Sequence, residues 1–291
     1  MRFHYLFALF GIASLAPAAL PGAQDGAGAS VIRIELAAGQ RHRSQIIAKG
    51  ACFAMSSRNP KQNGSAAWLA ADEFGQVLRI LRLGNEAKGV VPAQDPTLLE
   101  AIAAVEADWL TLRAAARQII SNDLHSVAIA QVIRLNDALL EKSNAIVLRL
   151  QALDGRNEAE KTALLRTVNL AARQRMLSQL TAKAYCFARL DVDANAMRLA
   201  LATATENFET ALSDLKWGNP EKGIVTPPNK RIYSQLDKVR DTWEAYRAPL
   251  DRLIRDHAPL PDDLALVEQL NTPLLRTVDE LVRLYLPDGR G

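Results

Sequence analysis

Three shortages narrow the class of this 291-residue sequence before any motif is considered. Cysteine occurs only twice, too rarely for a disulfide-stapled scaffold or a cysteine-ligated structural zinc site. Aromatic residues make up 5% of the chain, and strand-like alternation and hairpin dipeptides are scarce. Strands favour β-branched and aromatic side chains, so an Ala- and Leu-rich chain with few aromatics points to helices. Charge of one sign is also lacking: 35 Lys and Arg stand against 32 Asp and Glu, spread along the chain. That balance excludes a dedicated nucleic-acid binder, which carries a concentrated basic patch. Beyond residue 23 no 18-residue apolar run occurs, so the mature chain is expected to lack a transmembrane segment.

What is present begins with an address. Arg2 supplies a short positive region, and Tyr5 to Leu15 form an apolar core of eleven residues. The small-residue stretch from Ala16 to Ala23 follows, broken by Pro17, Pro21 and Gly22. This layout is that of a secretory signal peptide, too short to span a bilayer, with cleavage after Ala18 or Ala23. The expected compartment is the periplasm. Removing residues 1–23 leaves 268, twice 134.

That number recurs inside the chain. At an offset of 134, Leu36–Ala54 lies over Leu170–Ala188 with 12 of 19 positions identical. The same offset places Phe74 on Phe208, Gly84-Asn85 on Gly218-Asn219, Lys88-Gly89 on Lys222-Gly223 and Trp109 on Trp243. It also places Asp154-Gly155-Arg156 on Asp288-Gly289-Arg290. Such self-similarity reads as a tandem duplication, with units 24–157 and 158–291. Each unit reads as four helices. In the first they run over about 31–55, 65–83, 96–120 and 127–153, with 56–64 a polar stretch, Asp95 a cap, and Gly84-Asn85 and Asp154-Gly155 as stops. Pro249 and Pro273 are expected as kinks or helix limits in the second unit. The fold class is all-α: two tandem four-helix bundles packed side by side as an intramolecular pseudo-dimer.

The first helix of each unit carries two stripes. Ala38, Arg41, Gln45, Ala48 and Cys52 recur as Ala172, Arg175, Gln179, Ala182 and Cys186, alternately three and four residues apart. This spacing is one continuous line along a helix, small and polar here. A greasier stripe, Leu170, Leu177, Leu180, Ala184 and Phe187, suits the bundle's own core. A helix with two such stripes has two partners, and the arginine stripe is expected to face the other unit. A short link between units makes both first helices start from the same end, with Arg41 level with Arg175 and Cys52 level with Cys186.

Two guanidiniums in a partly dry seam repel each other and lose hydration, and an anion between them removes that penalty. Arginine's fork suits planar oxyanions. Ser44, Gln45, Ser178 and Gln179 lie close enough along the helix to add neutral donors. A buried pair free of carboxylates favours an anion-binding role; arginines splayed to solvent or neutralised by Asp and Glu favour a purely structural seam.

The segment Val168-Asn169-Leu170-Ala171-Ala172-Arg173-Gln174-Arg175-Met176-Leu177-Ser178-Gln179 resembles the signature of the PilJ/NarX-type sensory domain. That family supplies the periplasmic part of nitrate/nitrite sensor kinases and of type IV pilus-associated methyl-accepting chemotaxis receptors. The resemblance implies a four-helix bundle and nitrate held at a dimer interface by an arginine followed by a methionine, here Arg175-Met176. The first unit keeps Arg41, Ser44 and Gln45 but carries Glu35, His42 and Arg43 in place of the asparagine, methionine and leucine. The implied function is an exported sensor-type protein for a small oxyanion, nitrate or nitrite, that signals through an envelope partner such as a membrane sensor. The alternative is a helical interaction or scaffold protein of the envelope, linked to pili or chemoreceptors, with no small ligand.

The remaining features carry less. Cys52 and Cys186 read either as a disulfide across the pseudo-two-fold or as two buried thiols. No Cys-x-x-Cys-His occurs, so haem attachment is not expected, and no cofactor is. His42, His125 and His257 match no zinc spacing, and no metal site is expected. Trp109 and Trp243 read as core anchors, and the Gly-Asn-x-x-Lys-Gly loops as helix caps rather than phosphate cradles. No nucleophile–base grouping stands out, so the chain is not read as an enzyme.

Overall fold

The computed structural model describes residues 26–56, 59–121, 126–154, 159–255 and 259–286. The signal-peptide segment, His125, His257, Gly155-Arg156 and Asp288-Gly289-Arg290 lie outside the described residues. The helices are α1 (Gly26–Ser56), α2 (Pro60–Leu83), α3 (Pro96–Ile120), α4 (Ser126–Asp154), α5 (Ala159–Arg189), α6 (Ala194–Trp217), α7 (Lys230–Ile254) and α8 (Asp263–Leu284). No strand is formed among the described residues; the only β pairing there is an isolated bridge in each half, Asn85 with Val90 and Asn219 with Ile224. The protein is all-α.

Local chemistry explains most helix ends. Asp95 accepts from the Leu98 amide and Asn229 from the Ile232 amide, satisfying one orphan donor at the starts of α3 and α7. After α2 and α6, Gly84 and Gly218 adopt φ of 77° and 75°, a region closed to most side chains. The loops behind them are caps: the Asn85 and Asn219 side chains accept from the amides of Lys88 and Lys222. Several boundaries differ from expectation, and α1 begins at Gly26 rather than near Val31. α2 begins at Pro60, not near Ser65, because proline's fixed φ suits the first helical position and Asn59 precedes it. Pro249 and Pro273 end no helix, lying inside α7 and α8. Each costs its helix a backbone hydrogen bond, offset by a buried face such as Trp243, Tyr246, Leu250 and Leu253 on α7.

Helices α1–α4 pack as one four-helix bundle and α5–α8 as a second, with α1 against α5 joining them. These two helices are therefore surrounded on nearly all sides. From Ala171 to Ala188 only Arg173 is exposed and Leu180 half-buried. A helix in that position has no solvent face on which to place polar residues, so Gln174, Ser178, Gln179, Thr181 and Lys183 are buried in α5, as Gln40, Ser44 and Gln45 are in α1. Each bundle keeps an aromatic anchor: Trp109 stacks on Phe74 and Trp243 on Phe208, centroids 6.3 and 4.0 Å apart. Trp109 donates to the Ala71 carbonyl and Trp243 to the Glu209 carboxylate.

The seam is closed by a disulfide between Cys52 and Cys186, whose Cα atoms are 6.2 Å apart and whose positions differ by 134. Of the two readings left open by the sequence, the bond is the one formed.

Candidate functional site

The polar stripes meet as expected, and their contacts form two ladders related by the pseudo-two-fold. On α1, the Gln40 amide donates to the Phe74 carbonyl at 2.7 Å; on α5, Gln174 donates to the Phe208 carbonyl at 3.3 Å. Asn136 on α4 donates to the Ser44 carbonyl at 2.7 Å, and Asn271 on α8 to the Ser178 carbonyl at 2.8 Å. Lys183 Nζ reaches Asn136 Oδ1 at 2.7 Å, and Lys49 Nζ reaches Asn271 Oδ1 at 2.8 Å. Lys49 also donates to Gln179 Oε1 at 2.7 Å. Burial lowers the pKa of both lysines, Lys49 to about 8, while Asp137 beside Lys183 and Glu268 near Lys49 act in the opposite direction.

The serines and glutamines of the candidate site stand behind the arginines. Ser44 and Ser178 spend their hydroxyl protons on the Arg41 and Arg175 carbonyls at 2.9 and 2.8 Å. Gln45 and Gln179 in turn donate to those hydroxyls at 3.4 and 3.2 Å. These contacts lie within each helix, and the hydroxyl protons are already committed to backbone carbonyls. Met176 is buried.

At the arginines the ladders part. Arg41 and Arg175 are 3% and 5% exposed, so both charges are out of water. Arg41 donates through one terminal nitrogen to Asn144 Oδ1 at 3.0 Å and through the other to Asn169 Oδ1 at 2.5 Å and the Asn169 carbonyl at 3.4 Å. Its Nε contacts the Ala38 carbonyl at 3.4 Å. None of these acceptors carries charge. Burial, with Arg173 nearby, lowers its pKa to about 9. Arg175 instead meets Glu35 Oε1 at 2.6 Å and Asp279 Oδ1 at 2.6 Å. Asn169 matches Glu35 at offset 134, while Asn144 matches Asp279 at offset 135, the offset that also relates Asn136 to Asn271. Amides around one arginine are carboxylates around the other. By the criterion derived from sequence, Arg41 has the surroundings of an anion-binding arginine and Arg175 those of a structural one.

The two guanidiniums also lie on different flanks. Arg41 engages α4 and α5, whereas Arg175 engages α1 and α8. On the α8 flank a cleft of about 650 Å³ is lined by Glu35, His42, Arg43, Arg175, Asp279 and Arg283, among others. His42 takes the place of Met176 in the other half. Burial and the charges of Arg43, Arg175 and Arg41 push its pKa well down, and its Nδ1 is buried without a partner. On the α4 flank Asn144 and Asn169 are half-buried and Arg173 is exposed, so Arg41 lies one side chain below the surface. The asparagine Asn169 was visible in the signature segment. Asn144 and Asp279 were not, because an ungapped offset of 134 misaligns α4 and α8 by one residue. Among the described residues no group of three or more His, Cys, Asp and Glu side chains is placed to hold a metal. No helix there is long and apolar enough to cross a membrane.

Residues 158–270 match the PilJ family, described as the type IV pili methyl-accepting chemotaxis transducer N-terminal domain. Over 118 residues the chain is 34% identical to methyl-accepting chemotaxis protein McpN of Pseudomonas aeruginosa, a stretch covering 40% of this chain and 21% of that protein. The chain thus spans about a fifth of that relative's length. Among solved structures it is similar to the ligand-binding domain of the P. aeruginosa nitrate receptor McpN, at 33% identity over 41% of this chain and 92% of that domain, with a TM-score of 0.36. The second half of the chain is thus similar to PilJ-type sensory domains.

Proposed function

We propose that this is an extracytoplasmic sensor protein, exported by a signal peptide over residues 1–23, that binds a small oxyanion at the α1–α5 seam and presents its bound state to an envelope partner. Nitrate or nitrite is the expected ligand, in keeping with the similarity to the nitrate receptor domain. In this reading the units 24–157 and 158–291 descend from a duplication, and one chain supplies both sides of a dimer-like seam. The matching positions of the disulfide cysteines, the two bridges and the capping glycines support it.

The observation that carries the proposal is Arg41. A guanidinium this deeply buried with only amide and carbonyl acceptors lacks the counter-charge that buried ions need. It has five N–H donors and four contacts, so at least one donor is left for a planar anion arriving beside Asn144 and Asn169. Ser44, Gln45, Ser178, Gln179 and Met176 lie in the same buried layer as the arginines and complete the candidate ligand-binding set. Isothermal titration of the mature protein with sodium nitrate and sodium nitrite tests this. Saturable binding that Arg41→Ala abolishes is expected; silence from both salts with a folded protein sinks the reading. A second reading, an envelope scaffold without a small ligand, is favoured by the two ion pairs of Arg175. A thermal-shift screen of small anions separates the two, because a ligand that binds only the native state raises its melting temperature.

A further inference from the structure

The two flanks of the seam share nearly everything except charge. Gln40, Ser44, Gln45 and Lys49 on α1 have counterparts of the same type on α5, and Asn136 has Asn271. Most of the contacts that these residues make are duplicated too; Lys49 adds one to Gln179 and Lys183 one to Asp137. The differences concentrate at the pairs touching the arginines, Asn144 and Asn169 on one flank and Asp279 and Glu35 on the other. Aspartate has the shape of asparagine, and glutamate is one methylene longer. Each carboxylate presents a planar, negatively charged pair of oxygens, the same recognition chemistry as a small oxyanion.

We infer that Glu35 and Asp279 are a built-in counterion that closes the α8 flank to external anions, so that the chain takes one oxyanion, on the α4 flank, where Asn144 and Asn169 keep Arg41 open. The inference rests on the oxyanion-binding reading above and assigns its stoichiometry and its selecting residues. An anion approaching Arg175 meets two carboxylates already seated on the guanidinium and is repelled by both. The cleft of about 650 Å³ beside Arg175 offers room, and Lys88 and Arg283 also line it, but the Arg175 guanidinium itself is engaged by Glu35 and Asp279. Arg43 in the same cleft pairs through Nε with Glu73 at 3.2 Å, while its Nη1 is buried without a hydrogen-bond partner. On the α4 flank Arg173 adds a second positive charge near Arg41. Symmetry of sequence has become division of labour, one arginine for the ligand and one for the fold.

The test exchanges the side-chain sets. Glu35→Asn with Asp279→Asn gives Arg175 the surroundings Arg41 has, and Asn144→Asp with Asn169→Glu gives Arg41 those of Arg175. Each set is one that the other half already accommodates, and circular dichroism checks that the variants fold. Titration of the disulfide-intact chain with sodium nitrate is expected to give one site in the parent, two in the first variant and none in the second. Two sites in the parent, an unchanged stoichiometry in the first variant, or undiminished binding in the second overturns the inference. A parent that takes up no nitrate defeats the functional reading alone. In that case a site gained by the first variant upholds the built-in counterion, and no gain refutes it.

Discussion

Arg41 and Arg175 occupy equivalent positions on two parallel, buried helices, yet one is solvated by amides and the other neutralised by acids. The backbone and most of the polar framework are common to both, so the difference lies in charge rather than shape. Burying a cation is expensive in either case. The second half meets the cost with residues of the chain itself, while the first leaves it unmet. A protein tolerates such a deficit where a visiting ion removes it, which is why the less comfortable arginine is the more informative one.

That contrast can be attacked at several points. Serine at both Cys52 and Cys186 frees the two halves from each other and should lower stability most, by about 5 kcal/mol in the chain-entropy model for so long a loop. Urea denaturation with and without reductant measures it. Arg175→Ala leaves the half-buried Glu35 and Asp279 without their cation and should cost about 3 kcal/mol, the low end for a buried pair. Arg41→Ala removes a cation with no opposite charge beside it and should cost no more than about 1.5 kcal/mol, the scale of ordinary hydrogen bonds. Equal losses in the two alanine variants would erase the proposed asymmetry. Asn169→Asp, placing a carboxylate against Arg41, should stabilise the ligand-free protein by about 1–2 kcal/mol and weaken its response to nitrate.

The smallest effect concerns pH. Lys49 has a folded-state pKa of about 8, below its ordinary 10.5, so the unfolded chain binds more protons between those values. Its contribution therefore makes the protein more stable as pH rises through that window, the reverse of a lysine held in a salt bridge. Unfolding curves at pH 7.5 and 9.5 should show this rise in the parent and a reduced one in Lys49→Met.

Much of this architecture was legible in the residues. The 134-residue offset located equivalent helices, the facing arginine stripes and the paired cysteines, because helical periodicity and exact repetition survive without knowledge of packing. Helix limits were weaker where proline was concerned: Pro60 starts α2 and Pro273 sits within α8, each decided by burial of a whole helix face. The partners of the arginines were the least legible. Glu35 stood out as a departure from the signature, but its meaning depends on Arg175, 140 residues away. Asp279 was hidden further by the one-residue slip between α4 and α8. Charge compensation across a seam is a property of pairs, and a linear pattern records only one member at a time.

The position of the disulfide sets the mechanics of the helix pair. Cys52 and Cys186 lie near the C-terminal ends of α1 and α5, eleven residues beyond the arginines, or about 17 Å at 1.5 Å per residue. A covalent tie there bars one helix from sliding lengthwise past the other. What remains is rotation about a fixed pin, in which a small change of angle becomes a larger displacement at the N-terminal ends. The ion pairs of Arg175 with Glu35 and Asp279 lie partway along that lever, on the N-terminal side of the pin.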